Sequence, residues 1–198
     1  EDRQKAERLV DPTRPYLVIS PAASSAYRNW HGEGYAQLAR YAVTEHGLQV
    51  YLTGGNSAFE RQLAADIAVK VKTDKLANLV GKTSLKQLLA ILDNAVALIS
   101  PDSGPAHMAT TVDTPVIGLY ACANPQRTGP YLSQQWTINH YPEAVRDKFH
   151  KPVDELPWGI RVRDPGTMDR ITVKEVKSTL DRLLEYQKNN PSAKDHNT

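Results

Sequence analysis

A short apolar run, Val96-Ala97-Leu98-Ile99-Ser100, stops at Pro101 and delivers Asp102, Ser103, Gly104 and His107 to the start of a helix whose first turn Pro105 suits. Main-chain N–H groups at a helix start lack partners of their own and sit at the positive end of the helix dipole. A phosphate arriving there would be held by them and by the Ser103 hydroxyl, with Gly104 allowing close approach of the backbone. Asp102 could then take the hydroxyls of a sugar. The hexapeptide has a plainer reading too, in which Asp102 or Ser103 only caps the helix and His107 packs on a neighbouring loop. These six residues do not choose between the two. Asp102 and His107 with no further ligand close by do not make a metal site, which needs three or four donors.

Phosphate-type donors also follow an earlier apolar run. In Pro21-Ala22-Ala23-Ser24-Ser25-Ala26-Tyr27-Arg28-Asn29-Trp30, Ser24 and Ser25 could donate to phosphate oxygens while Arg28 neutralises them with a bidentate fork; an arginine in a polar loop can equally be only solvated. Trp30 reads as a packing anchor. Glu60 follows Thr53-Gly54-Gly55-Asn56, where acidic residues of nucleotide-binding folds accept ribose hydroxyls, and its spacing from Ser57 equally fits a capping box. Gly81-Lys82-Thr83-Ser84 lacks the preceding glycine of a P-loop, so its backbone is a candidate contact to a base. His31, His46, His140, His150 and His196 show no pairing for general-base work, and Ser103 lacks the glycine pattern of a hydrolase elbow. Cys122, the only cysteine, reads as packed behind a loop.

The elements that must position these residues alternate. Strands are expected at Tyr16 to Ser20, Val50 to Thr53, Leu79-Val80, Val96 to Ser100 and Val116 to Tyr120. Between them, one helix carries Tyr35, Leu38, Ala39, Ala42 and Val43 and closes at Gly47; a second carries Phe59, Leu63 and Ile67 on one face; a third, from Ser84 to Asn94, carries Leu85, Leu88, Leu89 and Leu92. A last helix opens at Thr172, boxed with Glu175, and buries Val173, Val176, Leu180, Leu183 and Leu184. The stretch from His140 to Gly166, with Pro142, Pro152, Pro157 and Pro165, reads as an irregular excursion.

Apolar strands alternating with helices imply an α/β fold: a doubly wound, mostly parallel, Rossmann-like sheet. Ligands of such sheets sit beyond the carboxyl ends of the strands, so the loops at 20–31, 53–57, 81–84, 100–104 and 120–131 are expected to share one rim. The chain divides into a polar lead-in or interdomain linker over 1–14, one Rossmann-like domain over 15–187 and a disordered tail over 188–198.

With 198 residues, 40% of them hydrophobic and 23% charged, the chain can bury a core without disulfides. Its 24 Lys and Arg against 22 Asp and Glu give a net charge of +2, which offers no electrostatic case for a nucleic-acid partner. No apolar stretch reaches the roughly 20 residues that cross a bilayer, and residues 1–5 lack the apolar core of a signal peptide. A single cysteine is compatible with the reducing cytoplasm, where the chain is expected, peripheral at most to a membrane. The start without Met points to a piece of a longer protein.

Taken together, the motifs resemble the C-terminal half of the bacterial heptosyltransferases, the family of glycosyltransferases that adds ADP-heptose units to the lipopolysaccharide core. The resemblance runs from about Tyr16 to Leu184. It is carried by Ser-Pro-Ala-Ala-Ser at 20–24 with Arg28 and Trp30, Leu-Thr-Gly-Gly at 52–55 with Glu60, and Asn-Leu-Val-Gly-Lys-Thr-Ser-Leu at 78–85. Further on come Ser-Pro-Asp-Ser-Gly-Pro-Ala-His at 100–107, Pro-Val-Ile-Gly-Leu-Tyr at 115–120, Asn-Pro-Gln-Arg-Thr-Gly-Pro-Tyr at 124–131 and Met-Asp-Arg-Ile-Thr at 168–172.

The resemblance implies a two-domain GT-B enzyme whose C-terminal domain binds the nucleotide-sugar donor. Ser24, Ser103 and Gly104 would contact phosphate, Glu60 the ribose and Thr83 the base, while Asp102 and His107 would face the sugar and the phosphate rim. Arg28 stands where such enzymes usually have lysine. The implied reaction is inverting transfer of a sugar, heptose, from ADP to a lipopolysaccharide-type acceptor, with no cofactor and no metal. Its base, an aspartate of the missing N-terminal domain, has no counterpart in this chain, which would then bind donor without turning it over. A non-catalytic nucleotide-binding module and a nucleotide-sugar epimerase are the competing readings.

Overall fold

The computed structural model describes residues 2–191. Six strands, all paired in parallel, form one sheet in the order β3-β2-β1-β4-β5-β6: β1 (Tyr16–Ile19), β2 (Gln49–Leu52), β3 (Leu76–Asn78), β4 (Ala97–Pro101), β5 (Val116–Tyr120) and β6 (Ile138–Asn139). The helices are α1 (Asp2–Glu7), α2 (Gly32–His46), α3 (Ala58–Val71), α4 (Leu85–Asp93), α5 (Gly104–Thr110), α6 (Pro125–Thr128), α7 (Tyr141–Phe149) and α8 (Val173–Asn189).

Alternation along the strands decides which helices cover which face. Leu17, Ile19, Val50, Leu52, Ile99, Ile117 and Leu119 point into one core with α2, α3 and α8. Tyr16, Val18, Tyr51, Leu98 and Val116 point into the other with α1, α4 and α5. Both faces are therefore buried, which is why the central strands read as unbroken apolar runs.

Strand order reverses between β1 and β4, so the chain leaves these neighbours toward opposite faces and a crevice opens between their carboxyl ends. The helix ends follow local chemistry. Gly47 takes a left-handed φ of 66° after α2, and Ser57 with Glu60, Ser84 with Gln87 and Thr172 with Glu175 form capping boxes.

Several expectations are corrected. The third strand is Leu76–Asn78 and not Leu79-Val80. It pairs only with β2, and such a half-buried edge needs no apolar run. The expected excursion over His140 to Gly166 contains the regular helix α7, whose Pro142 occupies the first turn, where a missing N–H costs no hydrogen bond. The lead-in over 1–14 contains α1, which packs on α4 with Ala6 and Val10 buried. Leu85 and Phe59, read as core-face residues, are 74% and 53% exposed. Of the tail expected over 188–198, Lys188 and Asn189 belong to α8, and 192–198 lie outside the described residues.

Candidate functional site

Four of the five loops expected on one rim line one cavity of about 980 Å³ at the crevice: those after β1, β2 and β4 and the 81–84 turn. Every donor-site residue singled out above except Ser25 borders it. The fifth loop, 120–131, turns away. Its Ala121, Cys122 and Ala123 pack behind Arg28 and Asp102, and its Asn124 and Gln126 border a separate cavity.

Arg28 is the centre of the crevice. Its Nη1 donates to both the main-chain carbonyl and Oδ2 of Asp102, each at 2.9 Å, and its Nη2 donates to Ser24 Oγ at 2.7 Å and Ser25 Oγ at 3.4 Å. The side chains of Arg28 and Asp102 are 13% and 9% exposed, so water screens this ion pair poorly. Asp102 is thus the partner of a buried guanidinium, and any contact it makes with a sugar is shared with that role. The Arg28 Nε is buried without a hydrogen-bond partner.

The loop that carries Arg28 is pinned by Trp30. The indole is buried, stands edge-on to Tyr35 at 5.0 Å between ring centroids, and donates from Nε1 to the Ile171 carbonyl at 2.9 Å. A Cβ at Gly34 would come within 2.5 Å of that ring, which explains a glycine inside α2.

Neither Asp102 nor Ser103 performs the plain capping role. Asp102 faces Arg28, and Ser103, although it is the N-cap of α5, makes no side-chain cap hydrogen bond; its hydroxyl lies 2.6 Å from that of Ser100. A Cβ at Gly104 would meet nothing within 4 Å, so the backbone there opens straight onto the cavity. His107 borders the same space.

Glu60 forms the capping box with Ser57 and also borders the cavity. Burial alone would raise its pKa, but hydrogen bonds from the Ser57 hydroxyl and from the Gly55 and Ser57 N–H groups outweigh burial and hold it below the usual carboxylate range. Gly55 N donates to Oε1 at 2.8 Å, and the Ser57 hydroxyl donates to Oε2 at 2.6 Å. An ionised carboxylate offers about four lone-pair sites, so the capping box leaves acceptor capacity facing the cavity.

Phe59 and Leu85, which helical spacing assigns to apolar helix faces, also border this cavity. Each lies in the first turn after a helix cap, Ser57 and Ser84. That position at the strand-end rim was the signal available for them. Among the described residues no group of three His, Cys, Asp or Glu is placed to hold a metal ion.

Cys122 is buried behind the loop, with its thiol donating to the Tyr27 carbonyl at 3.0 Å. Burial pushes its pKa up to about 11, with a smaller downward pull from Arg28. Native protein at pH 8 is therefore expected to react slowly with iodoacetamide, and denatured protein fast. Because the folded pKa is raised, the protonated thiol favours folding below about pH 9, and that contribution fades as pH rises toward 11. Equal labelling rates in the two states would contradict this.

Residues 1–158 match the family model described as Glycosyltransferase family 9 (heptosyltransferase). The lipopolysaccharide core heptosyltransferase OpsX of Haemophilus influenzae is 38% identical over 183 residues, 92% of this chain and 52% of that protein. Lipopolysaccharide heptosyltransferase 3 of Escherichia coli K12 is 32% identical over 69% of this chain and 40% of its own. The chain thus spans about half the length, or less, of these curated relatives. In fold it is similar to the E. coli ADP-heptose lps heptosyltransferase II, with a TM-score of 0.71 at 23% identity over 94% of this chain and 52% of that one.

Proposed function

The chain belongs to glycosyltransferase family 9, the heptosyltransferases, and on that premise we propose that it is the donor-binding half of an enzyme transferring heptose from ADP-heptose to a lipopolysaccharide-type acceptor. The observation that carries this reading is the convergence of four strand-end loops on one cavity with Arg28 fixed at its centre.

In this reading the diphosphate lies against Arg28, Ser24, Ser103 and the open backbone at Gly104. The ribose meets Glu60, and the base lies by Thr83 between Phe59 and Leu85. During transfer an acceptor hydroxyl oxygen bonds to the anomeric carbon as the bond from that carbon to the diphosphate breaks. The hydroxyl proton passes to a base that this chain does not supply. Negative charge grows on the departing diphosphate, and the Arg28 guanidinium, held at the crevice by Asp102, offsets it while its Nη2 can exchange the Ser24 and Ser25 hydroxyls for phosphate oxygens. No helix of the described residues is long and apolar enough to cross a membrane; a lipid-linked acceptor would bring the enzyme to a membrane surface from the cytoplasm.

Calorimetric titration with ADP, UDP and ADP-heptose tests this. The 198-residue chain is expected to bind ADP at least tenfold more tightly than UDP, to bind ADP-heptose no more weakly than ADP, and to transfer no sugar. Equal affinity for ADP and UDP, or no binding of either, would overturn the reading.

A further inference from the structure

A second cavity, of about 580 Å³, lies at the ends of β5 and β6, outside the donor crevice. Its lining combines an indole, a guanidinium and three carboxamides: Trp158, Arg146, Asn124, Gln126 and Asn139. Trp158 is 57% exposed, unlike the buried Trp30, so its ring face is available to a ligand. Arg146 has no carboxylate partner among the described residues, whereas the neighbouring Lys148 and Arg170 are paired with Asp164 and Asp147. One carboxylate, Asp154, also borders the cavity.

The segment 158–163 links this cavity to the donor crevice. Gly159 lies against the Arg127 guanidinium, where an added Cβ would come within 2.8 Å of Nη1, and the Ile160 carbonyl accepts from the Tyr141 hydroxyl at 2.8 Å. Arg161 then donates to the Tyr27 hydroxyl at 3.0 Å, and Arg163 lies 5.5 Å from the Tyr27 ring centroid. Arg28 lies 6.0 Å from the same centroid on the crevice side. Arg127, Arg161 and Arg163, like Arg146, have no carboxylate partner among the described residues. A basic ledge therefore runs from the second cavity to the donor site.

We propose that this cavity is a subsite for an acidic sugar, one whose carboxylate or phosphate pairs with Arg146 while its ring stacks on Trp158. A flat aromatic face suits the apolar face of a pyranose, the carboxamides suit its hydroxyls, and an unpaired guanidinium selects a carboxylate or phosphate by its fork geometry. Asp154 can accept from ring hydroxyls without competing for the acid group. That the sugar belongs to the acceptor rests on the donor reading above; that the cavity binds an acidic sugar does not.

The test follows the tryptophan indole N–H resonances of the whole chain during titration with trigalacturonic acid and, separately, with uncharged galactotriose and with ADP. Trigalacturonic acid is expected to shift the Trp158 resonance saturably and to bind at least tenfold more tightly than galactotriose. Arg146→Ala should cut that affinity about tenfold, the effect of losing one charge-assisted hydrogen bond, and Trp158→Ala should abolish saturable binding. The buried Trp30 resonance, unmoved, reports that both variants are folded. Equal affinity for the charged and uncharged trisaccharides, or no shift at Trp158, overturns the proposal. ADP binding without acid-sugar binding leaves the donor reading standing and removes the second subsite; acid-sugar binding without ADP binding does the reverse.

Discussion

Arg28→Ala is expected to weaken ADP binding by a hundredfold or more and to destabilise the empty protein as well. Two charge-assisted hydrogen bonds to a diphosphate, made by Nη2 in place of those to Ser24 and Ser25, are worth about 1.5–3 kcal/mol each, enough for a loss of that size. The second effect follows from the pairing with Asp102. Removing the guanidinium leaves a carboxylate that is 9% exposed facing the place proposed for the phosphate. Its stranding costs on the order of 1–3 kcal/mol of folding free energy, and its charge repels the ligand. Arg28→Lys keeps the charge but cannot bridge Asp102 and Ser24 at once, so it should retain part of the affinity. A double-mutant cycle with Asp102→Asn separates the two effects: the carboxamide should recover stability in the alanine background and lower it in the native one. Additive losses of stability would show that the pair does not act as a unit, and ADP affinity unchanged in Arg28→Ala would remove Arg28 from the donor site.

Trp30→Ala is expected to cost about 3–5 kcal/mol, the range for deleting a fully buried large aromatic. Total stabilities of roughly 5–15 kcal/mol make this a large share, and at about 2–4 °C per kcal/mol for a domain of this size Tm should fall by about 10 °C. The loss has three structural sources: the contact with Tyr35, the hydrogen bond to the Ile171 carbonyl, and the packing of α2 at Gly34 over the ring. Trp30→Phe retains most of the apolar volume and loses the N–H, so it should cost about 1–2 kcal/mol. Because Trp30 anchors the loop bearing Ser24 and Arg28, ADP affinity in Trp30→Ala should fall even well below its Tm. Calorimetric melting of both variants checks this, and a Tm within 2–3 °C of the parent, less than the shift of about 1 kcal/mol, would show that the site tolerates the cavity.

The amino-acid sequence by itself determined the doubly wound sheet, because strands buried on both faces must be apolar throughout. It also determined the helix starts at Ser57, Ser84 and Thr172 and the stop at Gly47, because capping chemistry is local and acts over three or four residues. The rim of strand-end loops followed from topology alone, and four of its five loops line one cavity. Other features are decided by neighbours distant in sequence. β3 and the two-residue β6 are edge strands, held by one neighbour each and not by an apolar pattern. Leu85 and Phe59 fit a helical stripe, yet first-turn residues of α4 and α3 project past the sheet end into the crevice. The ion pair of Arg28 with Asp102 joins residues 74 positions apart, and that Arg146 has no ion-pair partner among the described residues depends on Asp147 and Asp164 pairing with Arg170 and Lys148. Which charge neutralises which is settled only when the chain has closed, because Coulomb interactions respond to distance and burial and not to order along the chain.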